Sequence, residues 1–228
     1  MATRVPIELG EWYHCYNRGV DKRRVFETAL DYERFILQMY VANGSQSVHL
    51  SNLKNKKLSD VLSDVSLDRG GQIVEIGAYC LLPNHFHILL KEIREGGIAL
   101  FNQKLITGYT MYFNIKQERT GSLFSGTYKS KHVADDRYLK HLISYIHFNP
   151  VELIEPKWKE GHGNIKTIEA FLRDYSYSSL AAFRDQNSIT RKIVGNSVFD
   201  LYDKIPTVKE MLKEAQSYYI ETNIKVKP

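Results

Sequence analysis

The sequence predicts an α+β fold in which helices pack on a central antiparallel sheet. Strand-like and helix-like segments interleave along the 228 residues in the order β, α, β, β, α, β, α. The two strand-like segments in the middle are separated only by Pro83-Asn84, a pair typical of a hairpin turn. Because a hairpin joins antiparallel neighbours, this order favours an antiparallel sandwich over a parallel, doubly wound sheet.

Apolar spacing and turn residues define the bounds of each predicted element. In chain order, the sequence predicts a strand at 12–20, a helix at 29–42, strands at 73–82 and 85–91, a helix at 98–117, a basic extended stretch at 121–133 and a helix at 137–149. The last helix begins after Asp135 and Asp136, where the helix dipole favours acidic side chains. It ends before Pro150, since the residue preceding a proline is pushed out of helical geometry.

The chain length suits one domain with appendages. We predict a single domain over residues 1–185, interrupted by a polar, loop-rich insertion at 45–71 with a short helix near 57–65. Residues 186–228 are predicted to form a C-terminal helical extension.

Composition is that of an ordinary globular protein, with 43% hydrophobic and 25% charged residues. No apolar run reaches the roughly 18 to 20 residues that a membrane helix needs, and the first ten residues do not resemble a signal peptide. We therefore expect a cytoplasmic protein with no membrane partner. In that compartment Cys15 and Cys80 are predicted to be buried thiols rather than a disulfide.

A formal net charge of +5 permits a nucleic-acid partner without demanding one. The 15 tyrosines and 10 phenylalanines are more informative, because many lie close to lysine and arginine. Aromatic platforms inside basic grooves bind single-stranded nucleic acid, although tyrosines that simply cover a sheet would give a similar composition.

A pair of histidines lies on the second strand of the predicted hairpin. Side chains alternate between the faces of a strand, so His85 and His87 point one way while Phe86, Ile88 and Leu90 point into a core. Two imidazoles on one face can share a metal ion and leave coordination positions for a substrate oxygen. Two surface histidines would give the same pattern.

The predicted helix at 137–149 carries a candidate nucleophile. Its Leu and Ile residues cluster on one face, and Tyr145 is rotated away from the centre of that face, one turn before Asn149. We therefore expect Tyr145 and Asn149 on a polar stripe beside the packing face, where a capping or merely exposed role is the alternative. His14, His132 and His147 receive no role.

These elements suggest one mechanism. His85, His87 and Asn149 would hold a divalent ion that polarises a phosphodiester, and the Tyr145 hydroxyl would attack phosphorus. Since a tyrosine has a pKa near 10, it is a weak nucleophile at neutral pH, and a nearby cation would stabilise the phenolate.

Two groups of basic residues are candidate DNA contacts. The predicted DNA-binding residues are Arg18, Lys22, Arg23, Arg24, Lys129 and Lys131. Cationic side chains of this kind track phosphates, although the first four also suit a solvated turn.

With these motifs in order, the chain resembles single-tyrosine members of the HUH endonuclease superfamily, and in particular the REP-associated tyrosine transposases, relatives of small insertion-sequence transposases. His85-Phe86-His87 is similar to the histidine motif, and the run from Tyr145 to Val151 is similar to the tyrosine motif. The opening run at 13–19 and the runs at 112–114 and 121–131 also resemble the family. The resemblance covers about residues 10–183.

The resemblance implies a ferredoxin-like fold with the histidine pair on a central strand and the tyrosine on a facing helix. It implies cleavage of single-stranded DNA that leaves a 5′-phosphotyrosine and a free 3′-hydroxyl, followed by rejoining. Substrates would be palindromic sequences that form hairpins, and the cofactor would be Mg²⁺ or Mn²⁺. The small insertion-sequence relatives act as dimers, whereas this chain's length favours the monomer expected of the REP-associated branch.

Two other functions fit the same residues. A catalytically silent descendant of a transposase would grip hairpin DNA with the same basic and aromatic surface. A metal-dependent RNA nuclease or other phosphodiesterase would turn over repeatedly without a protein-linked product.

Overall fold

The computed structural model describes residues 6–48, 50, 57–64 and 66–222, without the side chains of 220–222. Its strands are β1 (Trp12–Arg18), β2 (Val74–Leu82), β3 (His85–Glu92) and β4 (Lys129–His132). Its α-helices are α1 (Ala29–Ala42), α2 (Leu58–Ser63), α3 (Gly97–Lys116), α4 (Asp136–Phe148), α5 (Ile165–Asp174), α6 (Leu180–Arg184) and α7 (Val208–Thr222).

The four strands form one sheet in the order β2-β3-β1-β4, and every neighbouring pair is antiparallel. With α1 joining β1 to β2 and α3 joining β3 to β4, this is the βαββαβ connectivity of the ferredoxin-like fold. The expected α+β class and the ferredoxin-like arrangement are therefore confirmed. The expected hairpin is β2–β3, closed at Pro83 and Asn84.

Strand alternation gives the sheet two different apolar faces. On one face, Phe86, Ile88 and Leu90 pack in a core with residues of α1 and α3. On the other face, Ala78, Cys80, Leu82 and Leu89 pack with α4 and with the helices that follow it. The molecule is thus layered as helices, sheet and helices, and α4 faces the strand that carries the histidine pair.

The segments outside the ferredoxin-like unit are partly helical. Within the predicted insertion, α2 occupies the expected position, while residues 49, 51–56 and 65 lie outside the described part. In the predicted C-terminal extension, α7 supplies Met211, Ala215 and Tyr218 to the same core as α4. Residues 223–228 of that extension lie outside the described part.

Two smaller expectations concern the thiols and the membrane. Cys15 and Cys80 are both buried free thiols, as predicted. None of the helices in the described ranges combines the length and the apolar character needed to cross a bilayer.

The start of α1 is tied to α3 by a buried carboxylate. Asp31 accepts hydrogen bonds from the backbone of Glu27 and Thr28, which caps the first turn. Lys116 Nζ lies 2.7 Å from Asp31 Oδ1, and the Tyr112 hydroxyl donates to the same oxygen. Burial alone would raise the pKa of this carboxyl, but its hydrogen bonds with Lys116, the backbone and Tyr112 hold that pKa below its usual value.

We predict that Asp31→Asn lowers the free energy of unfolding by about 2 kcal/mol at pH 7, because it removes the charge that Lys116 and the α1 cap depend on. A carboxyl whose pKa is lower in the folded state contributes its stability above its unfolded pKa and loses it as pH falls through the folded value. The difference between mutant and native protein should therefore shrink between pH 7 and pH 3 in urea titrations. Glu33→Gln, an exposed change on the same helix, is the control and should show no such difference.

Candidate active site

The two histidines project from the middle of the sheet on the face that α4 covers. In the register of the sheet, His85 lies opposite Arg18 and Leu82, and His87 lies opposite Tyr16 and Cys80. The two imidazole rings are 5.1 Å apart and nearly perpendicular. The prediction that the pair shares one face is confirmed, and the hairpin turn at Pro83 and Asn84 lies directly beside His85.

A cleft of about 670 Å³ opens beside the pair. It is lined by both histidines and by the cationic residues Arg18, Lys22, Arg24 and Lys129. Asp21 and Glu152 also line it. Four of the six predicted DNA-binding residues therefore meet at the histidines, although they come from the end of β1, the turn after it and β4.

The other two predicted contacts lie elsewhere. Arg23 is exposed and does not line the cleft. Lys131 lies two positions beyond Lys129 on β4, and its Nζ is 5.4 Å from the centre of the Tyr138 ring. These two residues are outside the cleft, which makes them useful comparisons for the residues inside it.

Tyr145 lies close to the histidine pair but is fully buried. Its ring is 6.1 Å from the ring of His87 in an edge-on arrangement. On its other sides it contacts Tyr218 of α7 at 4.8 Å and Trp158 at 6.5 Å between ring centres. Its side chain is 0% exposed.

The prediction that Tyr145 and Asn149 lie on a polar stripe beside the packing face of α4 is therefore wrong. Tyr145 and Asn149 are both buried, because α4 is covered by the sheet on one side and by α7 on another. Leucine and isoleucine spacing identified only the face that meets the sheet. The second covered face contains Ser144, whose hydroxyl donates to Glu214 of α7.

The surroundings of Tyr145 oppose ionisation. Burial raises the pKa of its phenol well above the usual value, and the negative charge of Glu152 raises it further. The Lys159 ammonium lies 5.2 Å from the centre of the Tyr145 ring and pairs with Glu152. Since Glu152 also lines the cleft, this ion pair connects the tyrosine to the histidine site.

Asn149 is held against the helix end that carries the tyrosine. Its side-chain amide donates to the backbone carbonyl of Tyr145 at 2.9 Å, and the residue is 1% exposed. This bond fixes the amide one turn after the tyrosine.

The structure adds a residue that the sequence left without a role. His14 on β1 is 2% exposed, and its Nε2 lies 2.8 Å from Nδ1 of His87. His14 lies diagonally across from His87 in the sheet, so the contact depends on the register between β1 and β3. Strand alternation places His14 on the same face as Tyr16, but sequence alone does not reveal the register.

The three imidazoles are neutral near pH 7. Burial, with the charges of Arg18 and Lys159, lowers the pKa of His85 to about 4. Burial, with Lys131, lowers the pKa of His14 to about 3. The pKa of His87 is lowered well below its usual value by burial and by its charged and histidine neighbours. A neutral imidazole has a lone pair available for a metal ion.

One further observation indicates that the histidine pair could bind a divalent cation. Nε2 of His87 is buried and makes no hydrogen bond within the described residues, whereas its Nδ1 is engaged by His14. Across the same residues, His, Cys, Asp and Glu side chains form no group of three or more suited to a metal ion. A metal held by His85 and His87 would thus need a ligand of another kind, such as the Asn149 amide or a substrate oxygen.

A larger cavity lies away from these residues. It encloses about 850 Å³ and is lined by Ile36, Leu58, Tyr177 and Arg184 among others. It includes none of the predicted site residues, so the size of a cavity alone does not identify the candidate active site.

This chain is similar to one solved structure. No protein-family model matches the chain, and no curated protein matches it. A solved structure of a REP-associated tyrosine transposase bound to a REP hairpin has a TM-score of 0.46 and 14% sequence identity. That alignment covers 91% of this chain and 97% of the other.

We predict that α7 is an integral cover of the tyrosine, since Tyr218 packs on Tyr145 and is itself fully buried. Tyr218→Ala should lower the free energy of unfolding by about 3 to 5 kcal/mol, the usual cost of removing a buried aromatic ring. Tyr218→Phe keeps the ring and should cost much less. Urea titration of both variants would contradict this prediction if Tyr218→Ala lowered the free energy of unfolding by less than Tyr218→Phe.

Proposed function

We propose that this protein is a metal-dependent nickase and strand transferase of single-stranded DNA, with Tyr145 as the nucleophile. The proposal rests on the geometry of the cleft, in which the histidine pair lies together with four cationic side chains. The Tyr145 ring lies 6.1 Å from the ring of His87. The motifs that resemble single-tyrosine HUH transposases support the same function. These motifs lie far apart in the sequence, from the opening run at 13–19 to the tyrosine motif at 145–151.

His85, His87 and Asn149 are the proposed ligands of Mg²⁺ or Mn²⁺. When bound, such an ion supplies Lewis-acid polarisation of a phosphate oxygen. The chain's own contribution is to keep two imidazoles neutral on one strand face and to hold the asparagine amide one helical turn after the tyrosine. The four cleft cations would bind the phosphates on either side of the scissile bond.

The chemical step is a transfer of the phosphoryl group to the tyrosine. A bond forms between the Tyr145 oxygen and phosphorus, and the bond between phosphorus and the 3′-oxygen breaks. The proton lost by the phenol is balanced by the proton gained by the leaving 3′-oxygen. Attack of a 3′-hydroxyl on the phosphotyrosine reverses these changes and rejoins the strand, so no external energy source is needed.

Hairpin-forming palindromes are the proposed substrates, on the strength of the family resemblance. The cleft suits unpaired nucleotides at the foot of a hairpin, because it combines phosphate-binding cations with the ring of Tyr16, which lines it. The proposed acting form is a monomer in the cytoplasm.

One observation favours a second function, that of a catalytically silent hairpin-binding protein. The Tyr145 side chain is 0% exposed and does not line the cleft. A protein that only grips DNA needs no accessible phenol. The cutting enzyme, in contrast, needs the tyrosine oxygen to reach the cleft when DNA is bound.

The deciding experiment uses a 3′-labelled pool of single-stranded hairpin oligonucleotides. In Mn²⁺, the native protein should form a labelled protein band on a denaturing gel, because a 5′-phosphotyrosine retains the 3′ part of the strand. Tyr145→Phe should form none, and a chelator should abolish the band. His85→Ala should lose the band while still binding the hairpin.

The control is Tyr219→Phe, a tyrosine on α7 outside the proposed chemistry, which should keep the adduct. Hairpin binding with no adduct from the native protein would support the silent binder instead. Cleavage with multiple turnover by Tyr145→Phe would favour a phosphodiesterase without a covalent intermediate.

The cleft also makes a prediction about binding that is independent of cutting. Lys129→Gln should weaken hairpin binding by removing a phosphate contact, and should reduce the slope of log K against log salt by about 1. Lys131→Gln, a matched change on the same strand but outside the cleft, should have the smaller effect. Fluorescence anisotropy across a salt series would measure both, and equal effects would contradict a cleft-centred DNA path.

A further inference from the structure

We propose that His14 is a positioning residue that accepts a hydrogen bond from Nδ1 of His87 and so directs the Nε2 lone pair of His87 toward a cation in the cleft. This inference rests on the proposed function, because it concerns one of the proposed metal ligands. It assigns a role to a buried histidine that the chemistry described above does not use.

The geometry of the pair is that of an in-plane hydrogen bond. The His14 Nε2 to His87 Nδ1 distance is 2.8 Å, and the two ring planes are inclined by only 27° with centres 5.0 Å apart. In this arrangement the ring N–H of one imidazole points at the lone pair of the other. Burial of both rings keeps water from replacing the contact.

One proton between two rings allows two tautomeric arrangements. If His14 donates, His87 carries its proton on Nε2 and presents no lone pair there. If His87 donates from Nδ1, its Nε2 has a free lone pair, and that atom makes no hydrogen bond within the described residues. A cation at Nε2 selects the second arrangement, and only that arrangement uses His87 as a ligand.

The placement of the two rings separates their roles. His87 lines the cleft, whereas His14 does not. The Nε2 of His14 is occupied by the contact with His87, so His14 acts through its neighbour. Ligand histidines in metalloproteins commonly engage a second group through the other ring nitrogen, which fixes their tautomer and raises their affinity for the metal.

His85 has a different support. Its Nδ1 lies 2.6 Å from the Asn84 side-chain oxygen, which can only accept. That contact requires Nδ1–H on His85 and leaves its Nε2 lone pair free. Both members of the pair would thereby present Nε2, with Asn84 supporting one and His14 supporting the other.

The test measures Mn²⁺ affinity of the full chain without DNA, by electron paramagnetic resonance of the free ion. His14→Phe keeps a planar aromatic ring but removes the acceptor, and should weaken Mn²⁺ binding roughly 10- to 100-fold. His14→Gln restores an acceptor near the position of Nε2 and should recover most of the affinity. His147→Phe is the matched control, since His147 is an equally buried histidine whose Nε2 contacts Ser179 at 2.8 Å, and it should leave Mn²⁺ affinity unchanged.

A second readout is independent of variant folding. In the native protein with ¹⁵N-labelled histidine and saturating Mg²⁺, NMR should show His87 protonated at Nδ1 and not at Nε2. A proton on Nε2 of His87 would overturn the proposal, as would equal Mn²⁺ affinity in the native protein and His14→Phe, or equal losses in His14→Phe and His147→Phe.

The proposed metal chemistry and the role of His14 fail in different ways. If Mn²⁺ affinity depends on His85 and His87 but not on His14, the proposed function stands and the role of His14 is wrong. If the native protein binds no Mn²⁺, the metal-dependent function and the positioning role are both wrong.

Discussion

The packing of the sheet and the position of the histidine pair both depend on the alternation of side chains along β3. Phe86, Ile88 and Leu90 are fully buried against α1 and α3, and that burial sets the register of the strand. A slip by one residue would move three apolar side chains out of their core, which costs far more than any single polar contact returns. His85 and His87 therefore face the opposite side, and the same packing energy that forms the core directs both imidazoles toward the cleft.

This constraint explains why the histidine site could be predicted from sequence while much of its surroundings could not. The alternation in 85–90 is a local pattern, and so are the apolar spacing of α1 and the Pro-Asn turn of the hairpin. The contact between His14 and His87 depends instead on how β1 lies against β3. The grouping of Arg18, Lys22, Arg24 and Lys129 likewise depends on β1 lying between β3 and β4. Sequence reasoning found these residues as charges but had no means of separating them from Arg23 and Lys131.

The burial of Tyr145 also could not be predicted from the sequence. Helical periodicity identifies one apolar face well, but α4 has two covered faces, and the second is lined by Ser144 and Tyr145 rather than by leucine. Tyrosine and serine pack there because α7 supplies Tyr218 and Glu214 as partners. A polar stripe on a helix thus predicts exposure only when no later segment returns to cover it.

Electrostatic interactions connect the histidine pair with the buried Tyr145. Arg18 and Lys159 help to keep His85 neutral, and Lys159 also acts on His87. Arg18, which lines the cleft, is therefore both a proposed phosphate contact and a charge that preserves an imidazole lone pair. Tyr145 is in the opposite position, since its burial and Glu152 both disfavour the phenolate. Glu152 is paired with Lys159, whose ammonium lies over the Tyr145 ring. Any anion that draws Lys159 away, or any cation that draws Glu152 away, changes the charge around the phenol. Because Glu152 lines the cleft and its partner Lys159 lies beside the Tyr145 ring, a change of charge at Glu152 in the cleft also changes the charge beside the phenol.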